Sequence, residues 1–278
     1  MRIFKTVMGI LVEHEGHLYT SEQKDWDAYI NRDDLYAVVL AEISGLKPAW
    51  TEDWTTVPAS LAPIGSQEVW AAGVTYLRSK DARMEESSRS GAALFYDKVY
   101  SAERPELFFK ATARRVSGPG ELLRIRRDST WNVPEPELTL VITSSGKIVG
   151  YTIGNDMSSR SIEGENPLYL PQAKVYERCA GLGPCILVPE KPLPPTTVIQ
   201  MIILRGEAAI FEGSVTIDRM KRKHTELVEW LYRESAFPQG CYLMTGTCIV
   251  PGGDFTLQSG DIVSIRISGI GELVNTIE

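Results

Sequence analysis

Histidine and cysteine are scarce in this chain, with three of one and four of the other in 278 residues. His14 and His17 lie near the N-terminus and His224 opens a late helical stretch. Cys179, Cys185, Cys241 and Cys248 show no C-x-x-C spacing. That argues against a zinc site or a disulfide framework, and the expectation is buried free thiols in a reducing compartment. An excess of basic charge is also missing, since 29 Lys and Arg stand against 36 Asp and Glu and the formal net charge is −7. The runs Arg124-Ile125-Arg126-Arg127 and Lys221-Arg222-Lys223 are short and read as solvated faces. Nucleic acid, which needs a concentrated basic surface, is not an expected partner. Long apolar runs are absent as well. A membrane helix needs about 20 such residues, and "MRIFKTVMGILVEHEG" is too short even for a signal-peptide core. No membrane association is expected, and the chain reads as a cytoplasmic protein with no internal repeat or low-complexity tract.

What is present is ordinary globular material, 43% hydrophobic and 23% charged, enough for one large domain with a small companion. Residues 1–65 read as a small α/β unit. It has a strand over Arg2–Val12, a hairpin return near Leu18–Tyr19, and apolar residues at helical spacing in "DWDAYINRDDLYAVVLAEIS". The stretch "TTVPASLAPIGSQ", rich in proline and small residues, reads as its closing linker. Residues 66–278 read mostly as short strands: "EVWAAGV", "ELFFKA", "LLRIR", "ELTLVIT", "KIVGYTIGND", "GPCILV", "TVIQMIIL", "AAIFEGSV", "YLMTGTCIV" and "DIVSIRI". "SKDARMEESSRS", "ALFYDKVYSAE" and "TELVEWLYRESAF" are the helical candidates. The fold class is therefore α+β, mostly β, with a curled mixed sheet or barrel-like roll as the main domain.

The segment "WNVPEPELTLV" carries the chemistry. Glu135 and Glu137 are two apart at the mouth of a strand, so they point to one face. Pro134 and Pro136 cannot donate ladder hydrogen bonds and place the pair at a strand start or sheet edge. Two like charges on one face need a cation or a proton between them. If Ser145-Gly146 is a two-residue hairpin loop, Ser144 faces Lys147, and counting on puts Asp156 opposite Glu135. Three converging carboxylates without histidine or cysteine describe a hard-cation site for Mg²⁺, Mn²⁺ or Ca²⁺. The competing reading is an exposed hairpin with scattered acids.

These residues, with "GYTIGNDMSSRSIEGENPLYLPQAK", "GLGP", "LMTGT" and the ending "GDIVSIRISGIGELVNTI", resemble the fumarylacetoacetate hydrolase (FAH) family from about Val69 to the C-terminus. The resemblance implies a mixed β-roll catalytic domain behind a small N-terminal domain, and a homodimer or dimer of dimers with a divalent metal. It assigns Glu135, Glu137 and Asp156 to the metal, and Arg160 and Thr247 to the carboxylate of a small keto-acid substrate. Lys174 matches the family's active-site lysine, Glu163 stands where many relatives carry glutamine, and Lys110 of "FFKATA" matches a lysine read here as substrate-binding.

The chain departs from hydrolytic members in "GVTYLRSKDARMEE", where Ser79 holds the position of a histidine that activates water with a glutamate. It is similar instead to a dehydratase branch acting on 2-keto-3-deoxy-D-arabinonate, through "GVTYLRS", "AERPELFFK" and "IEGENPLYLPQAK". That implies a Mg²⁺-dependent hydro-lyase. A metal-stabilised enolate would form as the C3 proton leaves, followed by β-elimination of water, giving 2-oxoglutarate semialdehyde. Lys174 is one candidate acid or base, Glu163, Glu85 or Glu86 the other, and Ser79 would contact a substrate hydroxyl. Three alternatives stand beside this: a hydrolase cleaving a C–C bond of a 2,4-diketo acid, a keto-acid tautomerase or decarboxylase, and a non-catalytic keto-acid binder.

Overall fold

The structure is a computed structural model that describes residues 1–49, 59–77 and 98–278. Ser79, Glu85 and Glu86 lie outside the described residues, as do "SKDARMEESSRS" and the first five residues of "ALFYDKVYSAE". The fold is mostly β.

One sheet of ten strands forms the centre. Across it run β3 (His17–Thr20), β2 (Gly9–His14), β1 (Arg2–Thr6), β12 (Ala180–Leu187), β10 (Ile148–Asp156), β9 (Pro136–Ile142), β15 (Cys241–Met244), β4 (Glu68–Gly73) and β5 (Glu106–Thr112), with β6 (Val116–Ser117) beside β12. A second sheet has the order β14 (Ala208–Thr216), β13 (Val198–Arg205), β16 (Ile262–Ile267), β17 (Gly271–Ile277) and β7 (Leu122–Leu123). A short ribbon pairs β8 (Asn132–Val133) with β11 (Ser158–Ser159). Most pairings are antiparallel, but β15 with β4 and β12 with β6 are parallel, so the central sheet is mixed.

Every residue of β9 is buried, because the central sheet is covered on both faces. Side-chain alternation divides the strand. Leu138, Leu140 and Ile142 join Ile199, Met201, Val263 and Ile265 of the second sheet, and Leu227 and Leu231 of helix α5 (His224–Tyr232), in one apolar layer. Val141, with Tyr242 and Met244 of β15, faces the opposite layer. That layer is completed by α1 (Trp26–Ile30) and α2 (Leu35–Ser44) through Trp26, Tyr29, Leu35 and Val39. Residues 1–49 are thus joined to the rest by this shared core and by the pairing of β1 with β12. Ser60 bridges Thr6, and the Leu61 amide donates to the Lys5 carbonyl at 2.8 Å, so residues 60–61 run back along β1.

Several local expectations are corrected. Arg2–Val12 is not one strand: it turns at Val7–Met8 and returns from Gly9, whose φ of +122° suits glycine. The helical stretch 25–44 is two helices, broken at Asn31–Asp34. "LLRIR" is ladder only at Leu122–Leu123, and "YLMTGTCIV" leaves the sheet after Met244. His224 is half-buried with its ring 6.2 Å from Tyr151, and its burial lowers the imidazole pKa to about 4. All four cysteines are buried and free.

Candidate metal centre

The β9–β10 hairpin builds the centre. Its turn is one residue longer than expected. Thr143, not Ser144, faces Lys147, its amide donating to the Lys147 carbonyl at 2.9 Å, and Gly146 takes the left-handed position at φ +82°. A register shift between Ile148 and Gly150 cancels the extra residue, so Asn155 still faces Pro136. The Asp156 amide donates to the Glu135 carbonyl at 3.0 Å, and Asp156 stands opposite Glu135 as the sequence predicts. Gly154 faces Glu137, and a Cβ there would lie 2.2 Å from the Thr139 hydroxyl.

Glu135, Glu137 and Asp156 each offer a carboxylate oxygen, and these oxygens all lie within 4.8 Å of one another. All three residues are buried. Cations from other elements meet them. Lys174 ends the short helix α4 (Leu170–Lys174), and its Nζ bonds Asp156 Oδ2 at 3.1 Å, Ser158 Oγ at 2.6 Å and Glu135 Oε2. Arg160 opens α3 (Arg160–Glu165), donating from NH2 to Glu135 Oε1 at 2.5 Å, with its Nε 3.8 Å from Glu163 Oε2. Lys110 of β5 is wholly buried. Its Nζ lies 2.6 Å from Asp156 Oδ1 and donates to the Met157 carbonyl at 2.9 Å and the Lys174 carbonyl at 2.5 Å. Two carbonyls thus accept from that ammonium, and Asp156 pairs with its charge.

Burial and the neighbouring Asp156 and Glu135 charges push the Glu137 pKa well above the usual carboxylate range, although the Gly246 amide donates to Glu137 Oε2 at 2.6 Å. Among the described residues, four buried carboxylates (Glu135, Glu137, Asp156 and Glu163) face three buried cations (Lys110, Arg160 and Lys174), leaving a formal charge of −1. A divalent cation would turn that to +1, and the carboxylate of one acidic ligand would then neutralise it. The donors are oxygens throughout, which suits Mg²⁺ or another hard cation. On charge and donor chemistry the residues fit such an ion.

The structure therefore brings together the predicted Glu135, Glu137, Asp156, Arg160, Glu163, Lys174 and Lys110. Thr247 is buried one residue beyond Gly246, and its hydroxyl accepts from the Ile249 amide at 3.2 Å. Sequence reasoning passed over Ser158, whose hydroxyl lies 2.9 Å from Glu135 Oε2, and Asn155, whose Oδ1 accepts from the Glu135 amide at 3.2 Å. It also passed over Phe108, whose ring lies 5.4 Å below the Lys174 ammonium. The two-residue period through "NDMSS" puts Ser158 on the face of Asp156 and was the available signal. No pattern marked Asn155 or Phe108. None of the three histidines is here, since His14 and His17 pair on the β2–β3 hairpin and His224 opens α5.

A buried, oxygen-only acidic triad at the end of a mixed β sheet, countered by two lysines and an arginine, defines the class. The chain belongs to the fumarylacetoacetate hydrolase family: residues 69–278 match the profile described as Fumarylacetoacetate (FAA) hydrolase C-terminal. Within it, the chain is similar to a probable 2-keto-3-deoxyxylonate dehydratase of Haloferax volcanii, 43% identical over 265 residues, covering 93% of this chain and 90% of the relative. It is 45% identical over 218 residues to 2-dehydro-3-deoxy-D-arabinonate dehydratase of Saccharolobus solfataricus, covering 78% and 73%. A solved structure of 2-keto-3-deoxy-D-arabinonate dehydratase complexed with magnesium and 2,5-dioxopentanoate superposes with a TM-score of 0.84 at 35% identity, over 100% of this chain and 99% of that one.

Proposed function

We propose that the protein is a Mg²⁺-dependent hydro-lyase that removes water from 2-keto-3-deoxy-D-arabinonate to give 2,5-dioxopentanoate, also called 2-oxoglutarate semialdehyde. The observation that carries this is an acid–lysine–arginine centre to which none of the three histidines contributes, since they lie on the β2–β3 hairpin and at the start of α5. Hydrolysis in this family relies on an imidazole to activate water, whereas β-elimination needs only a base at C3 and an acid at C4. The names of the two curated relatives, and the magnesium and 2,5-dioxopentanoate of the solved structure, support the same reading.

Glu135, Glu137 and Asp156 would hold the cation, with Mn²⁺ or Ca²⁺ as possible substitutes. Bound there, the cation supplies Lewis acidity toward the carboxylate and keto oxygens of a 2-keto acid. Arg160 and Thr247 bind the substrate carboxylate. Lys174 Nζ and the Glu163 carboxylate form the acid–base pair. One takes the C3 proton, and the other delivers a proton to the C4 oxygen as the C–O bond breaks. Tautomeric proton shifts then convert the C5 alcohol to the aldehyde, and the net change is the loss of one water. Lys110 holds Asp156 and the end of α4 in place, and is the further lysine expected at the substrate. Ser79 and Glu86, outside the described residues, keep their expected roles toward a substrate hydroxyl and proton transfer. Four buried free thiols fit a reducing cytoplasm, and a homodimer or dimer of dimers is the expected assembly.

The test is a product assay by mass spectrometry with 2-keto-3-deoxy-D-arabinonate, with Mg²⁺ and with EDTA. Metal-dependent 2,5-dioxopentanoate is expected. No product from this acid, with C–C cleavage of a 2,4-diketo acid instead, would replace the dehydratase with a hydrolase.

A further inference from the structure

Glu137 is held from behind by a turn that another turn locks. Strand β15 pairs antiparallel with β9, Met244 opposite Thr139, so the chain beyond Met244 continues alongside Leu138 and Glu137. Thr245 donates to the Leu138 carbonyl twice, from its amide at 3.1 Å and its hydroxyl at 2.8 Å. The next amide, of Gly246, meets Glu137 Oε2 at 2.6 Å. On its other side β15 pairs parallel with β4, so the two strands end at the same edge and the turns after them emerge side by side.

Contact between those turns is close. The Thr75 hydroxyl, 1% exposed, donates to the Thr245 carbonyl at 2.8 Å. Gly246 has φ +95°, and a Cβ on it would lie 2.1 Å from the Thr75 hydroxyl and 2.9 Å from the Ala72 carbonyl. The Thr75 turn is itself constrained. Val74 adopts φ +53°, a conformation that β-branched residues rarely accept, and the Lys221 amide clamps the Thr75 carbonyl at 2.9 Å. A strained residue persists where its surroundings over-determine it, and here they fix the Thr75 hydroxyl against the backbone that aims the Gly246 amide.

We infer that Thr75 is a positioning residue for the metal centre: through Thr245 and Gly246 its hydroxyl sets the orientation of the Glu137 carboxylate. This rests on the proposal that Glu137 helps to hold a divalent cation. Losing the hydroxyl would leave the Thr245 carbonyl buried without that donor and free the turn to shift.

The test reads Mn²⁺ binding to EDTA-stripped protein by electron paramagnetic resonance, independent of turnover. Thr75→Val keeps shape and burial and is expected to weaken binding about 10-fold, the low end of the range for losing an outer-shell partner, because Thr75 acts on Glu137 through Gly246. Thr75→Ser, which restores the hydroxyl, should bind within about 3-fold of wild type by the same reasoning. Thr139→Val is the matched control. Thr139 is equally buried on β9, but its hydroxyl has no hydrogen-bond partner among the described residues, so binding should not change. Thr75→Ala is a second hydroxyl-free variant should the valine chain fail to fold. Wild-type affinity in the hydroxyl-free variants, or an equal loss in Thr139→Val, would overturn the inference. Absence of Mn²⁺ binding by the wild type would instead sink the metal reading beneath it.

Discussion

The two faces of β9 are equally dry and held by opposite means. On one, Leu138, Leu140 and Ile142 enter an apolar layer supplied by the second sheet and α5. Each such side chain contributes roughly 1.5–3 kcal/mol on burial, whatever the pH. At the end of the other, Glu135 and Glu137 are buried among like charges, and three cations from β5, α3 and α4 leave a residual negative charge among the described residues. The apolar face stabilises the fold. The charged face is costly to it and is complete only with further positive charge, as sites built for chemistry commonly are. Substitutions on the two faces should therefore fail in different ways.

The largest expected effect is on turnover. Lys174→Met removes the ammonium shared by Glu135, Asp156 and Ser158, and kcat should fall about 100-fold or more, the range for a positioned proton-transfer group. Full turnover in steady-state kinetics would remove Lys174 from the mechanism. Next, Glu137→Gln should abolish tight Mg²⁺ binding in calorimetry. The same change should leave the melting temperature of the metal-free protein unchanged or higher, because a crowded buried carboxylate is gone. On the apolar face, Leu140→Ala should lower stability by about 2–5 kcal/mol in urea unfolding while the folded fraction binds Mg²⁺ as before. A stability loss in Glu137→Gln matching that of Leu140→Ala would erase the contrast between the faces.

The smallest effect concerns His224, at the start of α5 with its ring against Tyr151. Its folded pKa, about 4, lies below its ordinary 6.5. Between those values the unfolded chain binds the extra proton, so stability falls as pH drops through this window. His224→Phe should flatten that part of the melting-temperature profile, and an unchanged slope would place the titration elsewhere.

The apolar face was readable from its period: "ELTLVIT" alternates on a two-residue repeat and became β9. The acid pair was readable for the same reason. Asp156 was placed opposite Glu135 from a turn one residue too short, and a compensating register shift preserved the result. Local pattern did not reveal what closes the centre. Lys110 comes from a strand on the far side of β15, and Gly246 from a turn whose position depends on two strand pairings. Such partners are set by sheet topology, which the spacing of one segment does not encode. The break at Asn31–Asp34 and the turn at Val7–Met8 were missed because apolar periodicity runs across both.

The central claim is that the buried triad is a metal site on which dehydration depends. Its most direct test is to strip the protein with EDTA and titrate Mg²⁺ back while following turnover of 2-keto-3-deoxy-D-arabinonate. Turnover should be absent from the stripped protein and should rise with Mg²⁺ to a plateau at one bound ion per chain. Equal turnover before and after Mg²⁺ is restored would contradict the account.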